Sequence, residues 1–444
     1  MKTDCSEQFS LDFHPDKEVR AQFDGGRITT DAGLIPLRQH ESDQNFYQRL
    51  SRTLNDPRQQ SKVEHLQPDI LRQRGLGIVA GYEDATDSDR LRSDPAFIVM
   101  NGQSDLQDDR GPSQSTVTRM ENEVTPRSVV KLNRWLLSDW IRRQQEPPEQ
   151  ITLEIDATDD PTHGNQQLSM FDGFYGQHMY FPLLIFDGES GDCLAARLRK
   201  GAAPAKARAV PQLKRIITRI QEDFPQADPV IRLRADAGFM EPALYRMLEQ
   251  RDIQYTINLT KNDVLKRETE QLFKQVQDTY EEGDTEQKVT RYTEFTYQAA
   301  SWEDPRRVCA KLEYGPQGAN RRFVVTNTSG GTAEEVFDFY EERGQCENYI
   351  KELKNGFSGD RLSCTDFVAN AFRFLEHVLA YNLVNQFRNS GLNETELQKA
   401  DIHTLRTKLF KVAARIKTTV RNVWVQLSES WPFRDHLLAV GDGL

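Results

Sequence analysis

Two six-residue segments far apart in the chain share one pattern: ITLEID, which ends at Asp156, and IRLRAD, which ends at Asp236. Each alternates apolar and polar residues and closes on an aspartate, as expected for a strand with one face in a core. If the two strands lie side by side and parallel, Glu154 comes opposite Arg232 and Arg234, a favourable cross-strand arrangement. The two aspartates then meet at the carboxyl edge of the sheet, where open sheets hold ligands.

The segments around these strands predict an α/β fold with a mixed sheet and helices on its faces. Residues 178–187 and 192–200 are apolar runs joined by a turn, typical of a hairpin, and residues 206–224 are a basic helical segment. A further strand is predicted at residues 253–260. After it, strand-like runs between residues 288 and 329 predict a small antiparallel β insertion.

A third carboxylate lies on a predicted helix, residues 339–357. One phenol, three cations and one carboxylate share a narrow stripe of that helix, at about 100° of rotation per residue. They are Tyr340, Arg343, Glu347, Lys351 and Lys354. Apolar residues form a second stripe that can pack on a core. They are Phe339, Cys346, Ile350, Leu353 and Phe357. The segment therefore has an anchoring side and a polar side, although pairs such as Glu347 with Lys351 also decorate ordinary solvated helices.

Asp156, Asp236 and Glu347 are candidate metal ligands. Two unpaired carboxylates so close together would repel, and a divalent cation removes that cost. Carboxylate oxygens without His or Cys favour Mg²⁺ or Mn²⁺ over zinc. Three carboxylates and two ions about 3.5–4 Å apart activate one oxygen and stabilise another in phosphoryl transfer. The alternative is that both aspartates are turn residues at strand ends, which Asp favours.

The cations of the polar stripe suit phosphate oxygens. Arg343 offers a bidentate fork, whereas Lys351 and Lys354 act as point charges. Tyr340 either bonds a phosphate or stacks on a base, unless it is simply a half-buried tyrosine. Trp302, on the predicted insertion, either stacks on an unpaired base or packs in the core.

The loop DDPTHG directly after the first strand offers three more possible metal ligands, Asp159, Asp160 and His163. A polar loop of this composition is more often a turn. The sequence leaves both interpretations open for these three residues.

Charge is segregated along the chain. The net charge of -11 argues against a general polyanion binder. Residues 191–235, however, hold ten Lys or Arg against four Asp or Glu, and residues 399–422 hold seven against one. The acid is concentrated at residues 262–304, with eleven acids against five bases. Local basic surfaces for a nucleic acid are therefore present, although each block is also compatible with a solvated charged face.

The cysteines and the hydropathy exclude several protein classes. Five cysteines, an odd number without a CxxC spacing, argue for a reduced compartment and against a disulfide or zinc framework. The chain has no apolar signal region and no run near 18 apolar residues, so neither secretion nor membrane insertion is expected.

The spacing of Tyr340, Arg343, Glu347 and Lys354 resembles the Y-R-E-K signature of DDE transposases of bacterial insertion sequences. In that group a ribonuclease H-like core carries a β-rich insertion. The blocks IDATDDPTHGNQQ, ADAGF and RGQCENYIKELKNGF are similar to the three catalytic blocks of the family. GYEDATDSDRLRSDP and ANAFRFLEHVLAYNL are similar too, so the resemblance covers nearly the whole chain.

The resemblance implies a function as well as a fold. Asp156, Asp236 and Glu347 would be the catalytic triad and would bind two Mg²⁺ ions, with Mn²⁺ as a substitute. Water and then a freed DNA 3′-hydroxyl would attack phosphodiesters at the ends of a mobile element. Tyr340, Arg343 and Lys354 would grip DNA near the cut, and charge and geometry add Lys351 to them.

The expected architecture is a ribonuclease H-like mixed sheet with flanking helices, interrupted by a small antiparallel β insertion, with helical N- and C-terminal regions. The expected regions are a helical DNA-end recognition region (1–146), the first part of the catalytic core (150–260), the β-rich insertion (261–330), the second part of the core with the Glu-bearing helix (331–390) and a helical C-terminal region (391–444).

The sequence thus predicts a cut-and-paste DNA transposase. Its expected partners are double-stranded DNA with terminal inverted repeats and a target DNA, and it would act as a homodimer on paired ends in the bacterial cytoplasm, at the nucleoid. Two alternatives remain: a non-catalytic DNA-binding protein derived from a transposase, and a ribonuclease H-like nuclease without strand transfer.

Overall fold

The computed structural model describes residues 8–106, 111–283 and 287–442, so Cys5 lies outside the described residues. The strands of this part of the chain are β1 (Gln8–Leu11), β2 (Val19–Gln22), β3 (Ile28–Thr29), β4 (Gln150–Ala157), β5 (Asp160–Pro161), β6 (Met170–Asp172), β7 (Gln177–Tyr180), β8 (Leu183–Asp187), β9 (Cys193–Arg197), β10 (Val230–Ala235), β11 (Gln254–Leu259), β12 (Val289–Tyr297), β13 (Arg306–Gly315), β14 (Gly318–Thr326), β15 (Ala414–Thr418) and β16 (Val423–Leu427).

The α-helices are α1 (Ile35–Asp43), α2 (Phe46–Ser51), α3 (Gln67–Ala80), α4 (Ser88–Leu91), α5 (Pro95–Met100), α6 (Gln114–Asn122), α7 (Pro126–Arg143), α8 (Ala209–Asp223), α9 (Pro242–Glu249), α10 (Asp263–Glu268), α11 (Glu270–Glu282), α12 (Ala333–Glu341), α13 (Gly344–Lys351), α14 (Phe367–Ser390), α15 (Ile402–Leu405) and α16 (Arg434–Asp442). Within the described ranges, no helix combines the length and the apolar character needed to cross a membrane.

The chain forms two compact units. One consists of Met1–Met120 with Gln386–Leu444, and the other is Glu121–Asn385. The second unit contains a mixed sheet in the order β12, β13, β14, β11, β10, β4, β8, β9. Its centre, β4, β10 and β11, is parallel, and its other neighbours are antiparallel. The predicted α/β class with a mixed sheet is therefore confirmed.

The two strands that end in aspartate are direct neighbours. β4 and β10 pair in parallel, with Arg234 opposite Glu154 as expected, whereas Arg232, also expected there, lies opposite Thr152. Alternation gives the sheet two different faces. Ile151, Leu153 and Ile155 are buried in the same core as the apolar residues of α7 and α8, and the acidic side chains point to the opposite face.

Helix α7 belongs to the sheet-containing unit, although residues up to 146 were assigned to the N-terminal region from the sequence. Thr125 caps the helix by accepting a hydrogen bond from the N–H of Ser128. Leu137 and Trp140 are buried in the main core with the sheet. The apolar side of this helix thus covers the sheet directly.

The β insertion was expected to form a small sheet of its own. Instead, its strands extend the main sheet. β13 pairs with β12 and with β14 in antiparallel orientation, as predicted, and β14 pairs with β11. Val308, Ala310 and Leu312 lie in the same core cluster as the central strands. The insertion continues the sheet because β11 would otherwise leave the N–H and C=O groups of one edge unpaired, and β14 provides partners for them.

In the first unit, the C-terminal region (391–444), expected to be helical, contains a β-hairpin. β15 pairs with β16 and with β3, and α15 and a short π-helical turn, Arg406–Phe410, precede it. Ala414 and Ile416 are buried, whereas Arg415 and Lys417 are exposed. This alternation has the period of a strand and not of a helix, so the helical expectation was wrong for these residues.

Candidate active site

The two aspartates stand at the carboxyl ends of neighbouring parallel strands. Asp156, near the end of β4, accepts a hydrogen bond from the backbone N–H of Ala157 at 2.8 Å. Asp236 directly follows β10 and caps a short 3₁₀ turn, where it accepts the N–H of Gly238 at 2.9 Å. The register of the strands therefore brings both carboxylates to one edge of the sheet.

The predicted helix at residues 339–357 is divided into three pieces. α12 ends at Glu341, α13 begins at Gly344, and a π-helical turn follows at Glu352–Gly356. The N–H of Arg343 bonds the carbonyl of Tyr340 at 3.0 Å, a three-residue step that tightens the junction. The anchoring side is confirmed, since Cys346, Ile350, Leu353 and Phe357 are buried. Phe339 is half-buried.

Arg234 ties this junction to the sheet. Its guanidinium is buried, pairs with Glu154 across the β4 and β10 strands, and donates to the carbonyl of Phe339 at 2.7 Å. It also pairs with Glu342, in the turn between α12 and α13, and lies over the ring of Phe339 at 4.7 Å from the centroid. The start of α13 is thus held against the strands that carry the two aspartates.

Arg343 lies among the three candidate acids. One of its terminal nitrogens donates to Asp156 Oδ2 at 2.8 Å, and the other donates to Glu347 Oε1 at 2.7 Å. The phenol of Tyr340 also contacts this guanidinium. The positive charge of Arg343 in turn opposes the rise that burial causes in the pKa of Asp236. Arg343 therefore neutralises part of the negative charge that the three acids bring together.

The pKa values of the aspartates reflect this crowding. Burial raises the pKa of Asp156 to about 6, and the charge of Asp236 adds to the rise while Arg343 opposes it. Burial likewise raises the pKa of Asp236, with Arg343 opposing and Glu347 adding. Burial also raises the pKa of Tyr340. Each acid thus lies within the electrostatic reach of another, and the group favours a bound cation.

Lys354 lies beside this group, but it bonds the loop that follows β4. Its ammonium group donates to Asp159 Oδ1 at 2.9 Å and to the Asp159 carbonyl at 2.7 Å. Gln177 donates to the other carboxylate oxygen of Asp159 at 3.0 Å. Asp159, a possible ligand by sequence, is therefore the partner that links Lys354 to this loop and to the start of β7.

The remaining candidates stand apart from the group. Lys351 is exposed on α13, and within the described residues no contact joins it to the three acids. His163 is exposed as well. Asp160 is buried, and burial, with Asp360 and Asp159 adding, raises its pKa well above the usual range. A buried carboxyl in such surroundings holds its proton.

The donor set fits a hard divalent cation, with one condition. Asp156, Asp236 and Glu347 supply only oxygen atoms, the ligands that Mg²⁺ and Mn²⁺ prefer. As the described side chains stand, however, no three acidic, histidine or cysteine groups are close enough to hold a metal ion together. Arg343 occupies the space between Asp156 and Glu347, so an ion shared by these two acids requires the guanidinium to turn away.

Sequence reasoning missed two structural roles. Arg234 was expected to pair with Glu154, but its bond to the α12 and α13 junction spans more than a hundred residues and has no local signal. The pairing of Lys354 with Asp159 was missed for the same reason.

A family model described as transposase DDE domain group 1 matches residues 11–444. Among curated proteins, none matches this sequence. Among solved structures, the chain is similar to piggyBac transposase in a cryo-EM structure of its synaptic complex with hairpin DNA. The two share 11% sequence identity, the match covers 86% of this chain and 81% of that chain, and the TM-score is 0.43.

Proposed function

Because this chain belongs to the transposase family defined by the group 1 DDE domain, we propose that it cuts the ends of a mobile DNA element and joins the freed 3′-hydroxyls to a target DNA. The proposal assigns it to the bacterial insertion-sequence transposases with the Y-R-E-K signature and to a cut-and-paste route. It assigns the sheet of the second unit to a ribonuclease H-like core.

The observation that carries the proposal is the convergence of three acids from distant parts of the chain. Asp156 and Asp236 stand at adjacent strand ends, and Glu347 reaches them through the guanidinium of Arg343. A stability role alone does not account for the two half-buried aspartates at adjacent strand ends, because bringing like charges close together costs free energy. We assign Asp156, Asp236 and Glu347 as the catalytic residues.

DDE transposases use divalent metal ions, and we propose that these three acids hold two Mg²⁺ ions, with Mn²⁺ as a substitute. Such ions activate the attacking oxygen and stabilise the leaving oxygen in phosphoryl transfer. The chain's own contribution is to orient the acids. The bonds from Ala157 and Gly238 fix the two aspartates, and Arg343 is available to a DNA phosphate once it leaves Glu347.

We propose that Tyr340, Arg343, Lys351 and Lys354 face the DNA backbone near the cut. Lys351 supports this assignment most directly, because its exposed ammonium group carries an accessible charge. Lys354 would act through the loop at Asp159, since it already bonds that residue. The N-terminal helical region would recognise the inverted repeats, and two copies of the chain would hold two ends in the bacterial cytoplasm, at the nucleoid.

The test is cleavage of a duplex that carries the inverted repeats flanking the element. We expect nicking at the tip of the repeat with Mg²⁺ or Mn²⁺ and none with a chelator. Glu347→Gln should lower the rate about a hundredfold or more, because a ligand to the reacting ions is lost. Glu334→Gln, the same chemical change at an exposed position of α12, is the matched control.

The outcomes separate the rival functions. Unchanged cleavage by Glu347→Gln would refute the assigned triad. A metal-independent shift of the duplex with no cleavage under any condition would identify a DNA-binding protein. Cleavage without joined products, assayed with a target plasmid, would identify a nuclease without strand transfer.

A further inference from the structure

An aromatic hairpin tip is exposed in the sheet-containing unit. β6 and β7 form an antiparallel hairpin, and three aromatic residues at its end, Phe171, Phe174 and Tyr175, are exposed by 58%, 90% and 40%. We call these three residues the aromatic tip. A group of exposed aromatic side chains indicates a binding surface, because a contiguous apolar patch in water contributes nothing to the stability of the folded chain.

The turn fixes the shape of the aromatic tip. Asp172 accepts hydrogen bonds on one carboxylate oxygen from the N–H of Phe174 at 2.9 Å and from the N–H of Tyr175 at 3.2 Å. Gly176 follows with a φ of 68°, in the left-handed region that glycine adopts without strain. The rings of Phe174 and Tyr175 meet edge to face at 5.0 Å. The tip is thus preorganised, which lowers the entropy cost of binding.

The hairpin borders the candidate active site. Gln177, the first residue of β7, donates to Asp159, which also accepts from Lys354. β5, which follows the catalytic strand β4 in the chain, pairs with β7. Burial raises the pKa of Tyr175, and the charges of Asp159, Asp156 and Asp236 add to the rise. The phenol of the tip therefore lies within the field of the proposed catalytic aspartates.

A cationic segment lies beside the same hairpin. A Cβ atom on Gly201 would come within 2.2 Å of the Met179 carbonyl and 2.6 Å of the Met170 carbonyl, so the chain passes directly against β6 and β7. Around this contact, Lys200, Lys206 and Arg208 are exposed. Single-stranded nucleic acid sites combine aromatic platforms with such cations, which bind the backbone phosphates.

Trp302, the other aromatic residue considered for base stacking, is not available for it. Its side chain is only 8% exposed, and its ring meets those of Tyr245 and Tyr297 at 5.5 and 5.4 Å. Core packing accounts for Trp302 completely. The aromatic tip fits the role because its rings are exposed and one of its members, Tyr175, lies within the electrostatic reach of Asp156 and Asp236.

We propose that the aromatic tip stacks on an unpaired DNA base next to the cleaved phosphate, with Phe174 as the principal contact. This inference rests on the proposed function, since it needs a DNA end at the three acids. An aromatic platform accepts any base, because every base has a π-face. The tip therefore holds the strand end in position without reading its sequence.

The test uses end-containing duplexes with one unpaired 2-aminopurine at successive positions near the cut, bound in the presence of a chelator. With wild-type protein, stacking should quench the fluorescence at one position. Phe174→Ala should lose this quenching and weaken binding of the unpaired end about tenfold. Phe174→Tyr, which keeps the ring, should stay within about twofold of wild type. Phe23→Ala, at a comparably exposed phenylalanine of the other unit, is the matched control.

A second measurement uses an abasic site at the quenched position. With the base present, Phe174→Ala should slow Mg²⁺-dependent cleavage about tenfold, and without the base the two proteins should cleave equally. If wild type cleaves but Phe174→Ala matches it in quenching and rate, the stacking role is overturned and the transposase assignment stands. If Phe174→Ala and wild type quench equally and the variant loses only binding to another protein, the stacking role is overturned and the tip is a protein contact. If wild type cleaves no DNA end, both proposals fail.

Discussion

At the scale of single residues, Arg343 decides the state of the site. It pairs with Asp156, near the end of β4, and with Glu347, which lies on α13. A guanidinium between carboxylates supplies the charge that a divalent ion would otherwise supply. The resting site is thus held by the chain's own cation, and entry of a metal ion competes with it.

This competition predicts the behaviour of Arg343→Gln. Removing the guanidinium should tighten binding of Mn²⁺ about tenfold, because its positive charge beside Asp156 and Glu347 repels the metal ion. Cleavage should fall, since the contact to DNA phosphate is lost as well. Titration of Mn²⁺ by calorimetry checks the affinity, with Lys351→Gln, which removes an exposed cation at the end of α13, as the control. Weaker Mn²⁺ binding by Arg343→Gln would contradict this account.

Asp160 gives a prediction about pH. Burial raises its pKa in the folded chain well above the unfolded value, so the folded state binds an extra proton. Its contribution to stability is complete at pH values below the unfolded pKa and is lost as the pH rises through the folded pKa. Asp160→Asn should therefore stabilise the protein relative to wild type more at pH 8 than at pH 5.

Urea unfolding with a chelator at the two pH values measures this difference. Asp263→Asn, at a fully exposed carboxylate, is the control and should change stability equally at both. A constant difference between Asp160→Asn and wild type would show that Asp160 is ionised in the folded chain.

At the scale of elements, the segment that carries Glu347 is a helix with a tight junction and a wide turn. Arg234 holds the junction at Phe339 and Glu342. The wide turn at Glu352–Gly356 is closed by Gly359, whose N–H bonds the carbonyl of Leu353 at 2.9 Å. These two irregularities orient Glu347 and Lys354 differently from a straight helix.

Glycine substitutions at the two ends of this segment should have opposite effects. A Cβ at Gly344 meets nothing within 4 Å, so Gly344→Ala should stabilise the protein by about 0.5–1 kcal/mol through loss of unfolded-state freedom. A Cβ at Gly359 would lie 3.0 Å from the Leu353 carbonyl, so Gly359→Ala should destabilise it by about 1–3 kcal/mol. Thermal and urea unfolding of both variants checks the signs, and equal signs would argue against the described junctions.

At the scale of the whole molecule, charge distribution matters more than net charge. A chain with a net charge of -11 repels DNA at long range, so binding depends on local cations. The exposed cations around Gly201 form one such region next to the proposed active site. Binding should therefore weaken steeply with salt.

The salt dependence can be assigned to residues. Lys200→Gln and Lys206→Gln should each lower the slope of log affinity against log salt by about 1, because each removes one phosphate contact. Lys288→Gln, whose ammonium group pairs with Glu313, should leave the slope unchanged. Fluorescence anisotropy at several salt concentrations provides the measurement. Equal losses in all three variants would mean that net charge, and not position, controls binding.

The sequence by itself determined the features that depend on local periodicity. The matching patterns before Asp156 and Asp236 predicted two strands, and their complementary polar faces predicted the parallel pairing that β4 and β10 adopt. Apolar spacing likewise predicted the anchoring side of the segment that carries Glu347. These features follow from side-chain alternation and burial, which neighbouring residues specify together.

Only the tertiary structure decided which side chains meet. Arg343 and Asp156 are 187 residues apart, Lys354 and Asp159 are 195 apart, and no local pattern links either pair. The same holds for the pairing of β14 with β11 and for the position of the aromatic tip beside Asp159. The physical reason is that charges and exposed sheet edges find partners wherever the packed core brings them together, and the packing depends on the whole chain.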